Sequence, residues 1–198
     1  MDYMINTEEV FFDRVTSIPG TESIGLVILA NKDKTRQITF ICDRDMALEI
    51  EIRVNTSLKE KPNNHMCDIA ATMLKRYCPP NCRIVIQSVT CGKFNTKLVM
   101  GETEADITSD NALDIRMSDA VLLSLCSGTP ILATDKLMKK VSTRYMDPAS
   151  NAVNLPITIL PDKMLADALE KALKQEQYEL ASRLRDEQQA RKEEKEKE

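Results

Sequence analysis

The chain has few of the residue types that common enzyme motifs require. Its 198 residues include no Trp, one His and five Gly, and aromatic residues make up only 4%. A single His excludes a three-histidine zinc site, and neither G-x-G-x-x-G nor G-x-x-x-x-G-K-[ST] occurs. The scarcity of Gly also argues against an all-β fold with many tight turns. The core must therefore consist of aliphatic side chains and of some of the ten Met residues.

Long apolar runs and excess positive charge are also missing. The longest apolar run, residues 24–30, is far shorter than the roughly 18 residues of a membrane helix, so we expect no membrane association. A net charge of −4 excludes a globally basic nucleic-acid binder but not a local basic patch. The acidic start, MDYMINTEEVFFD, lacks the features of a signal peptide. We therefore expect a cytoplasmic protein whose six cysteines stay reduced.

A change in composition near Pro161 divides the chain into two parts. All eight prolines and all five glycines lie at or before Pro161, and residues 162–198 carry nine basic and eleven acidic side chains. We expect a globular domain over residues 1–141 and a connector over 142–161, with a short strand at 157–160. Residues 162–198 should form a helical tail.

The pattern of apolar residues within the domain predicts an α+β fold with a mixed or antiparallel sheet and packed helices. Strands are predicted at 10–18, 24–30, 37–41, 83–89, 94–100, 112–116 and 131–133. Turns are predicted at residues 31–35 and 91–93. One helix should follow a cap at Asn64 and end before Pro79, and a second should follow a cap at Ser118 and end at Gly128.

Residues 43–54, DRDMALEIEIRV, fit either a strand or a helix that Asp43 could cap. In both cases Asp45, Glu49 and Arg53 share one face. Two carboxylates there could hold a divalent metal ion that activates water. Alternatively, Glu49 and Arg53 form an ordinary i,i+4 ion pair on a solvated face.

Arg116, Ser118 and Asp119 lie where a predicted strand meets a helix N-terminus. Free N–H groups and the helix dipole favour an anion at such a position, and Arg116 adds a fixed positive charge. A phosphate could bind there; alternatively, Ser118 and Asp119 cap the helix and Arg116 pairs with Asp119. His65, as the only histidine, is either an imidazole general base or a surface residue at the start of its helix.

The cysteines offer a weak signal for zinc. Cys78 and Cys82 have a permissible C-x₃-C spacing, but Cys67 and Cys91 do not form a second closely spaced pair. Buried thiols that pack like small apolar side chains are the alternative.

The tail has two apolar stripes at helical spacing, separated by Gln175-Glu176-Gln177. Their residues are Leu165, Ala168, Leu169, Ala172 and Leu173, then Tyr178, Ala181 and Leu184. A hairpin of two amphipathic helices would bury both stripes together, and one long solvated helix is the alternative. The last eight residues, RKEEKEKE, are predicted to be a frayed end. So small a helical pair has little core of its own, which favours docking or dimerisation.

The tail resembles the UVR motif, the helical hairpin shared by the bacterial excision-repair B and C proteins. The resemblance covers residues 169–188, LEKALKQEQYELASRLRDEQ, and is most specific over YELASRLRD. In that family the hairpin binds another protein, often a second UVR hairpin, rather than DNA. The resemblance therefore implies a UVR-type protein partner that contacts Tyr178, Ala181 and Leu184.

The domain resembles the bifunctional nuclease family. The strongest similarity is DIRMSDAVLLSLCSGTPILA, residues 114–133, which resembles the family's Arg-Pro-Ser-Asp-Ala helix start and the short strand that follows. Residues 37–47, 64–74 and 83–100 are also similar, so the resemblance covers about residues 24–141. Members with a C-terminal UVR motif are known, and the two resemblances support each other.

This resemblance implies a compact, oligomeric α+β domain that hydrolyses DNA and RNA. The family's recurrent polar positions correspond to Asp45, His65, Arg116, Ser118 and Asp119; Asp45 stands where a Glu is usual, and a Met replaces the proline of the motif. We expect a Mg²⁺ or Mn²⁺ ion held by Asp45 and Asp119 to activate water, Arg116 to stabilise the phosphorane charge, and no organic cofactor. The alternative is a non-catalytic, oligomeric binding or regulatory module that recruits a repair or stress-response partner through the hairpin.

Overall fold

The computed structural model describes residues 6–17, 23–55, 57, 65–77, 81–101, 103, 105–148 and 155–196. The strands are β1 (Thr7–Ser17), β2 (Ile24–Asn31), β3 (Arg36–Asp43), β4 (Cys82–Thr90), β5 (Lys93–Met100), β6 (Ala112–Asp114), β7 (Ile131–Thr134) and β8 (Thr143–Arg144). The helices are α1 (Arg44–Val54), α2 (Met66–Tyr77), α3 (Ala105–Thr108), α4 (Met117–Ser127), α5 (Asp135–Val141), α6 (Asp162–Lys174) and α7 (Tyr178–Lys195). The predicted α+β class is confirmed.

The described strands form one eight-stranded sheet in the order β6-β5-β4-β7-β1-β2-β3-β8. Neighbouring strands run antiparallel, except that β4 and β7 are parallel. The rings of Phe40 on β3 and Phe94 on β5 lie 6.2 Å apart although four strands separate β3 from β5. The sheet is therefore strongly curled around its core. Irregularities between Phe12 and Arg14 and between Ile86 and Ser88 favour this curl because bulges increase strand twist.

The main core is aliphatic, as the composition predicts. Side chains from the sheet pack there with α1, α4 and α5, and Met117 and Met138 are buried among them. Helix α1 lies directly on β2, because a Cβ on Gly25 would meet the Cβ of Ala47 at 2.4 Å. Glycine at position 25 thus fixes how closely the start of α1 approaches the sheet.

The structure confirms the seven predicted strands and both predicted turns. Residues 44–54 form helix α1 rather than a strand, with Asp43 at the N-cap position. Cys91 and Gly92 have φ values of 48° and 75°, as a tight hairpin between β4 and β5 requires. The predicted cap Asn64 lies outside the described residues. Helices α3 and α5 and strand β8 were not predicted.

The strand predicted at residues 157–160 is wrong, because Ile157–Ile159 forms a 3₁₀ helix. The N–H groups of Ile159 and Leu160 donate to the carbonyls of Pro156 and Ile157 at 3.2 Å each, so local bonds replace a strand ladder. The 3₁₀ helix directs its apolar side chains into two different cores. Ile159 is buried in the main core, whereas Ile157 and Leu160 pack against the tail.

The tail folds as the predicted helical hairpin, with Leu165, Ala172, Ala181 and Leu184 buried in its own small core. The chain reverses at Gln175–Gln177, where Glu176 adopts a φ of 57°. One long helix is therefore excluded. None of the helices in the described part of the chain is long and apolar enough to cross a membrane.

The prediction of a frayed C-terminal end is wrong as far as Lys195, where α7 ends. Arg191 is only 3% exposed. Its guanidinium donates to the carbonyls of Leu160, Thr158 and Ile157 at 2.7, 3.0 and 3.4 Å and pairs with Asp162 at 2.9 Å. Arg191 thus supplies hydrogen-bond donors to the backbone at the 3₁₀ helix. A charged residue thus secures the last turns of α7.

Candidate functional site

Helix α4 begins one residue earlier than its predicted cap. Arg116 has extended dihedral angles (φ −65°, ψ 143°), and its carbonyl accepts from the N–H of Ala120 at 2.9 Å, so Arg116 occupies the N-cap position. Ser118 is not the cap; it lies in the first helical turn. Met117 at the first helical position is a good helix former, and the helix can therefore start before Ser118. The predicted end at Gly128 is confirmed, with φ at 80°.

Arg116 and Asp119 form an ion pair at this helix start. Nε of Arg116 donates to Oδ2 of Asp119 at 2.6 Å, and the Arg116 side chain is 74% exposed. The hydrogen bond to Asp119, with smaller contributions from nearby charges that include Asp43, raises the pKa of Arg116. The guanidinium is thus held by one edge and presents its remaining N–H groups to solvent, next to the free N–H groups of the first turn of α4.

The first turns of α1, α2 and α4 lie close together. Cys67, in the first turn of α2, has its Sγ 3.9 Å from the carbonyl oxygen of Asp119. Asp43, which precedes α1, lies within electrostatic reach of Arg116. The structure therefore brings His65, Arg116, Ser118 and Asp119 to one region of the surface.

His65 is half-buried immediately before α2, and its ring is oriented by the backbone. Its Nδ1 accepts from the N–H of Cys67 at 3.1 Å. A ring nitrogen that accepts a hydrogen bond carries no proton, so in this geometry the proton of neutral His65 is on Nε2. The ring offers an N–H donor at Nε2 rather than a free base.

Asp68 fixes the start of α2, and its contacts were not predicted. One carboxylate oxygen accepts from the N–H of His65 at 3.0 Å, and the carboxylate receives a two-pronged contact from Arg53, with NH2 to Oδ2 at 2.5 Å and Nε to Oδ1 at 3.3 Å. The Sγ of Cys126 lies 3.2 Å from Oδ1. Asp68 thus ties His65 to α1 and α4. The spacing of His65 and Asp68 is that of a capping box, which is the one signal in the sequence that could have indicated this role.

The face shared by Asp45, Glu49 and Arg53 is only partly solvated. Arg53 NH1 donates to Glu49 Oε2 at 2.5 Å, so the predicted i,i+4 pair is confirmed. The Arg53 side chain, however, is only 4% exposed, because α1 packs it against Asp68 on α2. Asp45 is exposed in the first turn of α1, and its carboxylate forms no hydrogen bond or ion pair with another described residue.

The donor chemistry at the site suits a hard divalent cation, which prefers carboxylate oxygens and water. Asp45 and Asp119 are the residues that would hold it. The part of the chain that the structure describes contains no group of three or more His, Cys, Asp or Glu side chains arranged to hold a metal ion. A cation here would therefore need ligands from water or from the phosphate of a substrate.

None of the cysteines that the structure describes forms a disulfide bond. Burial is the main cause that raises the pKa values of Cys42 and Cys67 to about 11, and it also raises that of Cys126. Such thiols are poor nucleophiles at neutral pH. Cys78, the first residue of the C-x₃-C pair, lies outside the described residues.

The residues predicted to contact a partner lie in different environments. Tyr178 is 68% exposed at the start of α7, whereas Ala181 and Leu184 are buried inside the hairpin. Leu173 and Leu180 are also exposed around the turn of the hairpin. The apolar surface available on the tail is therefore the tip formed by Leu173, Tyr178 and Leu180, which we call the hairpin tip.

Comparison with known proteins identifies one family. A model described as the bifunctional nuclease domain matches residues 27–145, more than half of the chain, and this range contains every residue of the site described above. No curated protein matches the chain.

Proposed function

Because the chain belongs to the bifunctional nuclease domain family, we propose that it hydrolyses phosphodiester bonds of DNA or RNA at the start of α4. The observation that carries this proposal is the Arg116–Asp119 ion pair at the N-terminus of α4, beside the first turn of α2 that follows His65. The tail separately resembles the UVR motif, and from this resemblance we propose that the tail binds another protein.

Two features at the start of α4 favour a phosphate group. The N–H groups of the first turn have no acceptor within the helix, and the helix dipole makes this end positive. The exposed guanidinium of Arg116 offers a planar set of donors that matches two phosphate oxygens. Asp119 holds Nε of Arg116, so the guanidinium is oriented before the substrate arrives. Charge that develops on the phosphoryl oxygens in the transition state would be stabilised by donors already in place.

The side chains of the site can be assigned roles in the displacement. Water attacks phosphorus as the bond to the leaving oxygen breaks; Nε2–H of His65 donates a hydrogen bond to the leaving oxygen, which takes its proton from solvent water. The exposed carboxylate of Asp45 is the acceptor that we propose for the proton of the attacking water. Ser118, in the first turn of α4, contributes a hydroxyl donor to the bound phosphate. A Mg²⁺ or Mn²⁺ ion held by Asp45 and Asp119 would supply polarisation of the phosphoryl oxygen.

The test is cleavage of fluorescent DNA and RNA oligonucleotides with Mg²⁺, with Mn²⁺ and with EDTA. We expect Asp119→Asn to lower the cleavage rate at least about a hundredfold, because the orientation of Arg116 and a metal ligand are lost together. Glu170→Gln is the matched control: Glu170 forms a comparable exposed pair with Lys174 at 2.5 Å on α6, far along the chain from the site. The control should cleave at the parental rate.

The folded state of the variant must be shown by its melting temperature. Asparagine can replace Asp119 in the first turn without loss of the helix. A folded Asp119→Asn protein with parental activity would remove this residue from the mechanism. Failure of the parent to cleave any oligonucleotide, with or without metal, would contradict the proposed nuclease activity.

A second candidate function is a binding or regulatory module without catalysis. It is favoured by the same ion pair, since Asp119 neutralises Arg116 and the described residues provide no three-ligand metal group. The hairpin tip would then recruit a UVR-type protein partner through Tyr178 and its exposed neighbours. Binding of an oligonucleotide without cleavage, measured by fluorescence anisotropy, would support this candidate.

A further inference from the structure

The first turn of α2 is closed by reciprocal contacts between His65 and Asp68. The N–H of His65 donates to Oδ2 of Asp68 at 3.0 Å, and the N–H of Asp68 donates to the carbonyl of His65 at 2.9 Å. The ring of His65 caps the same turn, since its Nδ1 accepts from the N–H of Cys67 at 3.1 Å. His65 is therefore the N-cap residue of α2, and separate contacts hold its backbone and its ring.

Arg53 holds the carboxylate of Asp68 from the neighbouring helix α1. Its NH2 and Nε donate to Oδ2 and Oδ1 of Asp68 at 2.5 and 3.3 Å. Its NH1 donates to the backbone carbonyl of Glu49 at 3.1 Å and to the carboxylate of the same residue. The Arg53 side chain is only 4% exposed, so the planar guanidinium is engaged on both edges and has little freedom to reorient. The position of Asp68 therefore depends on α1.

The carboxylate of Asp68 also meets α4, the helix that begins with the Arg116–Asp119 pair. Sγ of Cys126, near the end of α4, lies 3.2 Å from Oδ1 of Asp68. At the other end of α4, the carbonyl oxygen of Asp119 lies 3.9 Å from Sγ of Cys67. One buried ion pair is thus in contact with all three helices whose first turns form the candidate site.

Both groups of this ion pair favour their charged forms despite their burial. Burial disfavours the charged form of Arg53, but hydrogen bonds to Asp68 and Glu49 outweigh this effect and raise its pKa. Burial likewise acts to raise the pKa of Asp68, but hydrogen bonds from Arg53 and Cys126 lower it overall. Desolvation offsets much of the attraction within a buried pair, so the main effect that we assign to this pair is geometric.

We propose that Arg53 and Asp68 are positioning residues for His65. By fixing the backbone of His65, the pair keeps Nδ1 on the N–H of Cys67 and leaves Nε2–H as the donor for a bound phosphate. Arg53 is too deeply buried to touch a substrate, so it acts on the reaction only through Asp68 and His65. The effect on cleavage rests on the proposed nuclease function, whereas the control of the ring does not.

Nitrogen-15 NMR of the full chain tests the control of the ring, because His65 is the only histidine. At alkaline pH, where imidazole is neutral, we expect widely separated Nδ1 and Nε2 shifts in the parent, as a single tautomer requires. Arg53→Lys keeps the charge but lacks the fork that grips both oxygens of Asp68. Its two ring shifts should move towards those of free histidine, in which both tautomers are populated. Ring shifts equal to the parental ones would overturn the proposal.

Two further comparisons separate positioning from a general loss of stability. Arg191→Lys is the matched control: the Arg191 side chain is also 4% exposed and pairs with a glutamate four residues earlier, but it lies on α7 in the tail. It should keep the parental ring shifts. Asp68→Asn retains an oxygen that can accept from the N–H of His65, so its ring shifts should lie between those of the parent and those of Asp68→Ala. Parental shifts in Asp68→Ala would also overturn the proposal.

Cleavage kinetics test the consequence for the reaction. We expect Arg53→Lys to lower kcat at least about tenfold and to leave KM within about twofold, because the donor to the leaving oxygen is misplaced while Arg116 still binds the phosphate. Arg191→Lys should keep the parental kcat. Displaced ring shifts with a parental kcat in Arg53→Lys would overturn the role in the reaction. A parent without any cleavage would contradict the proposed function itself, and the ring shifts would still decide whether the ion pair positions His65.

Discussion

Asp68 is the residue whose protonation should affect stability most directly, because three elements meet at its carboxylate. Burial acts to raise the pKa of Asp68, but hydrogen bonds from Arg53, from Cys126 and from the N–H of His65 outweigh it. The pKa of Asp68 therefore lies below its usual value of about 4. The folded state then binds this proton less tightly than the unfolded state does, and deprotonated Asp68 stabilises the fold.

The pH dependence follows from the sign of this shift. The contribution of Asp68 is fully present above about pH 4 and is lost as the pH falls through the lower pKa of the folded state. We expect the free energy of unfolding of the parent to decrease on acidification below about pH 4, and to decrease less steeply in Asp68→Asn. Urea unfolding at a series of pH values measures both slopes. Parallel slopes would contradict the proposed role of Asp68.

Single residues differ in how far the sequence could predict their contacts. The Arg116–Asp119 pair is local, because a spacing of three residues at the start of one helix brings the two side chains together regardless of the rest of the fold. Arg53 and Asp68 are 15 residues apart in the sequence and lie on different helices, so their contact depends on how α1 and α2 pack. The buried position of Arg191 likewise depends on the location of the 3₁₀ helix, which the sequence wrongly suggested to be a strand.

At the scale of elements, length determines what the apolar pattern can predict. Each of the seven predicted strands is either long enough to show the alternation of apolar and polar residues or clearly bounded by turn residues. Strand β8 has two residues and no period to detect. Helix α5 has seven residues, although Thr134, which accepts from the N–H of Leu137 at 3.3 Å, is a recognisable cap. The apolar residues of 43–54 fit both the two-residue period of a strand and the 3.6-residue period of a helix. The structure shows a helix, α1, which packs closely against Gly25.

The turn between β4 and β5 contacts the segment that leads into the tail, and two glycines allow this contact to be measured. Gly92 has a φ of 75°, and a Cβ there would meet the carbonyl oxygen of Leu160 at 2.8 Å. Gly128 has a nearly equal φ of 80°, but a Cβ there would meet nothing within 4 Å. Alanine at either position should lower the free energy of unfolding by about 1 kcal/mol, because its Cβ disfavours the left-handed backbone.

Only Gly92→Ala must also displace the backbone of Leu160. We therefore expect Gly92→Ala to lower the free energy of unfolding more than Gly128→Ala does, and the difference measures the contact between the turn and Leu160. Urea unfolding of the two variants at neutral pH gives both values. Equal losses would show that Leu160 moves aside freely and that the contact does not stabilise the fold.

At the scale of the whole molecule, the 3₁₀ helix Ile157–Ile159 joins two cores. Ile159 belongs to the core beneath the curled sheet, and Ile157 and Leu160 belong to the small core of the hairpin. Arg191 adds hydrogen bonds from α7 to the carbonyls of this helix. Near the β4–β5 turn, Cys91 Sγ lies 3.9 Å from a carboxylate oxygen of Glu194. Among the described residues, the hairpin thus contacts the domain at the 3₁₀ helix and at the β4–β5 turn.

This arrangement predicts the result of removing the tail. A chain that ends at Pro161 retains every strand, helices α1 to α5 and Ile159, whereas the four residues of the hairpin core leave together. The losses are the cover over Ile157 and Leu160 and the hydrogen bonds that Arg191 donates to the carbonyls, which water can donate instead. We expect this shorter chain to stay folded, to keep any cleavage activity of the full chain, and to melt less than about 10 °C lower.

A second truncation provides the comparison. A chain that ends at residue 154 also loses Ile159, which is 2% exposed in the main core. Deleting a buried side chain of this size costs about 2–5 kcal/mol, so this chain should melt clearly below the one that ends at Pro161. Differential scanning calorimetry of the three chains measures both steps. If the larger fall in melting temperature came on removal of residues 162–198, the hairpin would share one core with the domain, and the boundary at Pro161 would be wrong.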